Sequence, residues 1–258
     1  MTFGDPMNRS IISLAMASVL MWSTKSSLGA TASVVYSLAC GGQDNLVALT
    51  FDDGPSPHTT PQILKILRQY NVKATFFVVG ERAKQYPHLI QSIVDEGHAL
   101  GNHSFKHANL KKQSLCFIRQ ELVETNQAIE CARSQSVSGR ADAPQKIPSV
   151  IFFRPPYGRI SPKVVVTAKS LGMITVLWNV DPGDWQKPNP AMILRRIRQQ
   201  VKPGSIILLH DMHHNTVKAL PMILQYLIDN KYVITSLNRL NTSAPLPPQA
   251  PMSPPKAS

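Results

Sequence analysis

Five short segments carry side chains that could do hydrolytic chemistry: Thr50-Phe51-Asp52-Asp53-Gly54-Pro55, His103-Ser104-Phe105-Lys106-His107, Arg154-Pro155-Pro156-Tyr157-Gly158, Asp181-Pro182-Gly183-Asp184-Trp185 and Leu208-Leu209-His210-Asp211. Two histidines four residues apart can reach one metal ion, and two His with one carboxylate form a ligand set that leaves positions open for water and substrate. The zinc-protease form of such a pair has Glu directly after the first His. Ser104 stands there, so a base must come from elsewhere. Asp52 can supply it. Neighbours along a strand point to opposite faces unless the chain bends, and with a bend two adjacent carboxylates could act separately as ligand and base. His210 gains a partner that could orient its ring in Asp184.

Each segment alone has a plainer use. Acids before Gly-Pro cap turns, a histidine at a strand end is often solvated or packed, Arg154-Pro-Pro-Tyr-Gly could be only a rigid turn, and Trp185 could be packing. The argument for a site is convergence, and convergence depends on the elements that carry the segments.

Apolar periodicity predicts strands over 46–51, 74–79, 98–103, 149–153, 174–178, 205–209 and 232–237, with helices over 61–70, 82–96, 114–132, 162–171, 190–201 and 217–230. Thr60 before Pro61 and Ser161 before Pro162 read as helix starts, and Gly97 and Gly172 as helix exits. Strands alternate with helices, and no Gly-x-Gly-x-x-Gly follows the first strand. This favours an α/β fold of the (β/α) barrel kind, incomplete at seven units, over a dinucleotide-binding sheet. In a barrel all C-terminal strand ends open on one face, so the five segments would meet there.

Composition bounds the rest. The chain has 258 residues, 43% of them hydrophobic, which excludes disorder throughout and suits one domain. Residues 1–32, with an apolar stretch after Arg9 and Ala30-Thr31-Ala32 at the end, read as an export signal, or as an anchor if uncleaved. Residues 33–44 read as a short linker, 45–240 as the catalytic domain and 241–258 as a proline-rich disordered tail, with six of the 21 prolines in residues 244–258. A long surface loop is expected over 134–146. Removing residues 1–32 leaves Lys+Arg 25 against Asp+Glu 14, a balance of +11, so the basic character belongs to the domain. Arg195, Arg196, Arg198 and Lys202 read as the solvated face of a helix, and no nucleic-acid module is evident. Cys116 and Cys131 share an expected helix, about 22 Å apart at 1.5 Å per residue, too far to pair.

The five segments in this order resemble the polysaccharide deacetylase family, also called the NodB homology domain or carbohydrate esterase family four, over residues 45–240. The resemblance implies a distorted (β/α) barrel and metal-dependent removal of acetyl groups from N-acetylated sugars. It implies Asp52 as base, Asp53, His103 and His107 as ligands of one divalent ion, zinc first, and Arg154 as the residue that holds Asp52. It further implies Tyr157 as backbone oxyanion donor, His210 as acid oriented by Asp184, and Trp185 and Leu208, with Pro155 and Pro156, on the substrate side. With the export signal, the expected protein is a secreted or envelope-associated monomer acting on a cell-wall glycan. Peptidoglycan, whose stem peptides carry carboxylates, suits the basic surface better than neutral chitin does. A silent glycan-binding protein of the same fold, or an amidase acting on a small amide, is the competing reading.

Overall fold

The structure, a computed structural model, describes residues 34–38, 45–134 and 150–238. The segment read as an export signal, the body of the loop expected over 134–146 and the tail expected over 241–258 lie outside the described residues. No helix among the described residues is long and apolar enough to cross a membrane.

Eight strands are present among the described residues: β1 (Val34–Val35), β2 (Leu46–Gly54), β3 (Thr75–Val78), β4 (Ala99–Asn102), β5 (Phe152–Phe153), β6 (Ile174–Val176), β7 (Ser205–His210) and β8 (Val233–Thr235). They are ordered β1-β6-β5-β4-β3-β2-β7, with β8 also on β2, and every ladder is parallel. Seven are the expected strands. The eighth, β1, falls within the segment read as a linker and pairs with β6. No continuous ladder joins β6 to β7. Instead the chain after β6 reaches β7 by one parallel bridge, Val180 to Ile207, and Ser37 meets Ser205 by an antiparallel one. The result is a distorted α/β barrel.

Among the described residues seven α-helices pack around it: α1 (Thr60–Gln69), α2 (Gly80–Gln85), α3 (Pro87–Asp95), α4 (Leu115–Ser134), α5 (Pro162–Ser170), α6 (Pro190–Gln200) and α7 (His214–Asp229). Their apolar stripes follow the helical period. In α1 these are Ile63, Leu64 and Leu67; in α3, Leu89, Ile90 and Ile93; in α6, Ile193 and Ile197. Asn189 caps α6 by accepting from the Met192 N–H at 2.9 Å.

Three expectations are corrected locally. The helix expected over 82–96 is two, because Pro87 cannot donate and pushes Tyr86 out of helical geometry (φ −126°, ψ 59°). Thr60 lies inside α1 rather than capping it; its Oγ1 accepts from the Ser56 N–H and donates to Asp211. Ser161 takes the cap position of α5, but its side chain makes no capping bond.

Alternation along the strands sorts the core into two layers. Leu49 and Phe51 of β2 and Ile207 and Leu209 of β7 face the helices. Ala48, Phe77, Phe152, Val176 and Ile206 fill the barrel interior. The same alternation carries Thr50, Asp52, Leu208 and His210 to the interior side, toward the C-terminal end. There the interior turns from apolar to polar.

Candidate active site

The site begins with an irregularity in β2. Its register with β3 passes from Asp52–Phe77 directly to Gly54–Val78, leaving Asp53 unpaired at φ 71°. This is a β-bulge, and its extra residue lets neighbouring side chains leave strict alternation. Aspartate is among the residues that tolerate positive φ. Asp52 and Asp53 can therefore both face the histidines.

Asp52 is 3% exposed, and Arg154 Nη1 lies 2.7 Å from its Oδ1. Arg154 is fully buried and donates also to Thr50 Oγ1 (2.9 Å) and to the carbonyls of Val176 (3.2 Å) and Leu177 (2.9 Å). Its guanidinium lies 4.1 Å from the centroid of the Phe77 ring, on top of the apolar interior. A charge this deep persists only when paired and fully hydrogen-bonded, and Asp52 completes that requirement.

His103 Nε2 stands 3.4 Å and His107 Nε2 3.1 Å from Asp53 Oδ1, an oxygen that is buried and accepts no hydrogen bond. One ligand atom from each of the three residues falls within 4.8 Å of the others. Nitrogen and oxygen atoms around one ion at about 2.0–2.1 Å are separated by about 3.0–3.4 Å, so the cluster fits a divalent metal. The tautomer fits as well. His103 Nδ1 lies 2.7 Å from the Arg154 carbonyl, which can only accept, so the neutral ring presents a bare Nε2 to Asp53. Burial alone would raise the Asp53 pKa, but the two imidazoles hold it well below the usual carboxylate range. For His103 burial works downward, and Asp52 and Asp53 overcome it to raise the ring.

The third group is His210. Its Nδ1 is 2.7 Å from Asp184 Oδ1, while Asp184 Oδ2 accepts from the His210 N–H (2.8 Å) and from Thr216 Oγ1 (2.7 Å). Burial opposes protonation here. The hydrogen bond and charge of fully buried Asp184, with Asp52 and Asp53 behind, nevertheless push the His210 pKa up to about 9. The loop that carries Asp184 is pinned by α6, since Arg196 donates to the Pro182 carbonyl at 2.8 Å and Gln200 to that of Asp181 at 3.0 Å. Arg196 is thus a structural clamp, while Arg195, Arg198 and Lys202 are exposed.

Tyr157 sits at φ 60°, its ring exposed and edge-on to His107 at 4.6 Å between centroids. Trp185 is half-exposed and Leu208 is buried. Pro155 and Pro156, expected on the substrate side, are both buried in the Arg154–Tyr157 turn.

The structure adds residues that the sequence did not flag. Thr50 shares Arg154 with Asp52, and Thr216 fixes Asp184. Asp211, beside His210, is fully buried, and burial pushes its pKa up to about 8 despite the hydroxyls of Thr60 and Thr59. Glu121 accepts two backbone N–H groups from the His103–His107 loop. Thr50 and Asp211 carried a sequence signal, their places within the flagged segments, while Thr216 and Glu121 carried none. His213 is half-buried with its ring 6.0 Å from that of His210.

A parallel barrel whose strand ends gather a metal-ligand trio, an Arg-held carboxylate and a carboxylate-held imidazole is built as a hydrolase. The family model of polysaccharide deacetylase matches residues 41–176, and the chain belongs to that family of metal-dependent carbohydrate deacetylases. It is similar to a chitooligosaccharide deacetylase of Sinorhizobium fredii, at 37% identity over 204 residues covering 74% of this chain and 89% of that protein. Similarity to a peptidoglycan-N-acetylglucosamine deacetylase of Bacillus cereus is 36% over 202 residues, covering 76% and 88%. Among solved structures, a peptidoglycan N-acetylglucosamine deacetylase in complex with 4-naphthalen-1-yl-N-oxidanyl-benzamide superposes with a TM-score of 0.71 at 32% identity, covering 80% of this chain and 91% of that one. A carbohydrate esterase family four pseudoenzyme from Bacillus anthracis also superposes at 0.71, with 32% identity, 81% of this chain and 68% of that one.

Proposed function

We propose that the protein is an exported, zinc-dependent N-deacetylase that removes acetyl groups from N-acetylglucosamine residues of a cell-wall glycan, with peptidoglycan as the favoured polymer. The observation that carries this reading is the register of Asp52 with His210 across β2 and β7, each side chain held by its own buried counter-group, beside the Asp53–His103–His107 trio.

An amide resists hydrolysis because its carbonyl is resonance-stabilised and its amine leaves poorly. A divalent ion held by Asp53, His103 and His107 would supply Lewis-acid polarisation and a more acidic water. The remaining work falls to the chain. Asp52 has Oδ1 engaged by Arg154, so Oδ2 takes the proton of the attacking water. The Tyr157 N–H donates to the oxyanion, a kind of contact whose loss costs on the order of 10²-fold or more. His210 has Nδ1 committed to Asp184, so Nε2 delivers its proton to the sugar nitrogen as the C–N bond breaks. Acetate leaves and the glycan keeps a free amine. Trp185 and Leu208 flank the acetyl methyl.

Peptidoglycan is favoured over chitin by the basic balance, +12 for the whole chain, against the carboxylates of stem peptides. Export and an envelope location are supported by the residue 1–32 pattern and by the wall substrate named for the Bacillus cereus relative. That one family neighbour is a pseudoenzyme makes the intact set of base, ligands and acid in this chain the deciding feature. Incubating the zinc-loaded protein with N-acetylglucosamine oligomers and with peptidoglycan should release acetate from both, faster from peptidoglycan. Binding to either glycan with no acetate from any acetylated sugar would replace this reading by that of a glycan-binding protein.

A further inference from the structure

The two candidate ligand histidines are four residues apart but lie on no helix. They bracket a loop with φ of 62° at Ser104 and 54° at His107, a region that residues with side chains seldom adopt. Such a conformation persists only where the surroundings over-determine it. His103 is anchored by β4, which it follows, and by its Nδ1 contact with the Arg154 carbonyl. The position of His107 depends on the backbone between.

That backbone is held from both sides. The carbonyls of Ser104 and Phe105 accept from the N–H groups of Gly80 and Glu81, each at 3.0 Å. A Cβ at Gly80 would stand 2.4 Å from the Phe105 ring, so only glycine allows this approach. On the other side, Asn102 Oδ1 takes the Ser104 N–H at 2.9 Å, and Glu121 Oε2 takes both the Phe105 and Lys106 N–H groups at 2.9 Å. Glu121 comes from α4 and is 3% exposed. A buried glutamate whose carboxyl oxygen serves two consecutive amides of a ligand loop is not explained by the packing of α4, since the same site could hold an apolar residue at less desolvation cost.

We propose that Glu121 is a positioning residue for the metal centre, fixing the Phe105–Lys106 backbone so that His107 Nε2 is held at the distance from Asp53 and His103 that one divalent ion requires. The inference rests on the reading of Asp53, His103 and His107 as ligands. Zinc and cobalt affinity of the full-length wild-type protein, measured against a competing chelator, tests that reading by itself.

The variants test Glu121. Glu121→Met keeps the volume and removes the acceptor; it should bind zinc about 10- to 100-fold more weakly, as loss of an outer-sphere partner typically does. The visible spectrum of its cobalt form should change, and amide exchange at Phe105 and Lys106 should quicken in the metal-free protein. Glu121→Gln retains an oxygen able to accept both N–H groups and should restore wild-type affinity and spectrum. Glu121→Asp withdraws the acceptor by one methylene and should lose affinity several-fold, which carries the test if Glu121→Met does not fold. Wild-type affinity and spectrum in Glu121→Met or Glu121→Asp, or a loss in folded Glu121→Gln equal to that in Glu121→Met, would overturn the proposal.

Discussion

Asp52 and His210 are direct register partners on the adjacent parallel strands β2 and β7. Neighbouring strands run about 4.8 Å apart, and both residues lie on the interior side, so the candidate base and acid stand next to each other with a substrate amide able to sit above both. What separates their roles is the buried partner of each: a guanidinium for Asp52 and a carboxylate for His210.

Replacing Asp52 by Asn keeps shape and an acceptor for Arg154 but removes proton uptake. Turnover should fall by about 10² or more while zinc content and glycan affinity stay near wild type. Acetate release with parallel metal analysis checks this, and a near-native rate would assign the base elsewhere.

The His210 pKa of about 9 sets the direction of the pH dependence. The acid must be protonated, so the alkaline limb of the rate profile should lie near that value. In Asp184→Asn the imidazolium loses its hydrogen-bonded charge, and the limb should move toward the ordinary imidazole value near 6.5. Thr216→Val, which frees Asp184 Oδ2 from one donor, should leave the limb high. Because folding raises this pKa, the stabilisation from the His210–Asp184 pair is fully present below about pH 6.5 and is lost as pH rises through about 9. Denaturant melts of wild type and Asp184→Asn should therefore converge on the alkaline side.

Chelation should abolish activity without loss of helical circular dichroism, and added zinc or cobalt should restore it. His103→Ala and Asp53→Asn should bind less metal. Since Asp52 and Asp53 raise the protonation of His103 in the ion-free site, metal affinity should weaken as pH falls, with protons released on binding. Equal activity in chelator-treated and untreated protein would remove the metal from the chemistry.

Gly101 offers a test of how the barrel interior supports Arg154. A Cβ there would stand 2.4 Å from Phe77 Cδ1 and 2.6 Å from Cε1, and the Phe77 ring lies beneath the guanidinium. Gly101→Ala should cost about 1–3 kcal/mol of stability through overpacking. Activity of the folded fraction should fall with it as Arg154 and Asp52 shift. Full activity per folded molecule would show that the Phe77–Arg154 contact is not needed for alignment.

Much of this was legible in the sequence because it is local. Apolar periods marked the seven strands and the helices, Pro61 and Pro162 marked helix starts, and the residue types in the five segments announced hydrolysis. The break at Pro87 was equally local, and there the apolar period across 82–96 misled. Other features belong to tertiary structure alone. The bulge at Asp53 depends on the register that β2 takes with β3, and no residue at that point required it. Thr216 reaches Asp184 from 32 positions away, and Glu121 reaches Phe105 from 16. Such bonds are chosen by how one helix settles against a barrel. The hydrophobic stripe of α4 or α7 states only that the helix must pack, while the rotation and height at which it does so decide which polar side chain meets an unpaired backbone N–H or a buried carboxylate.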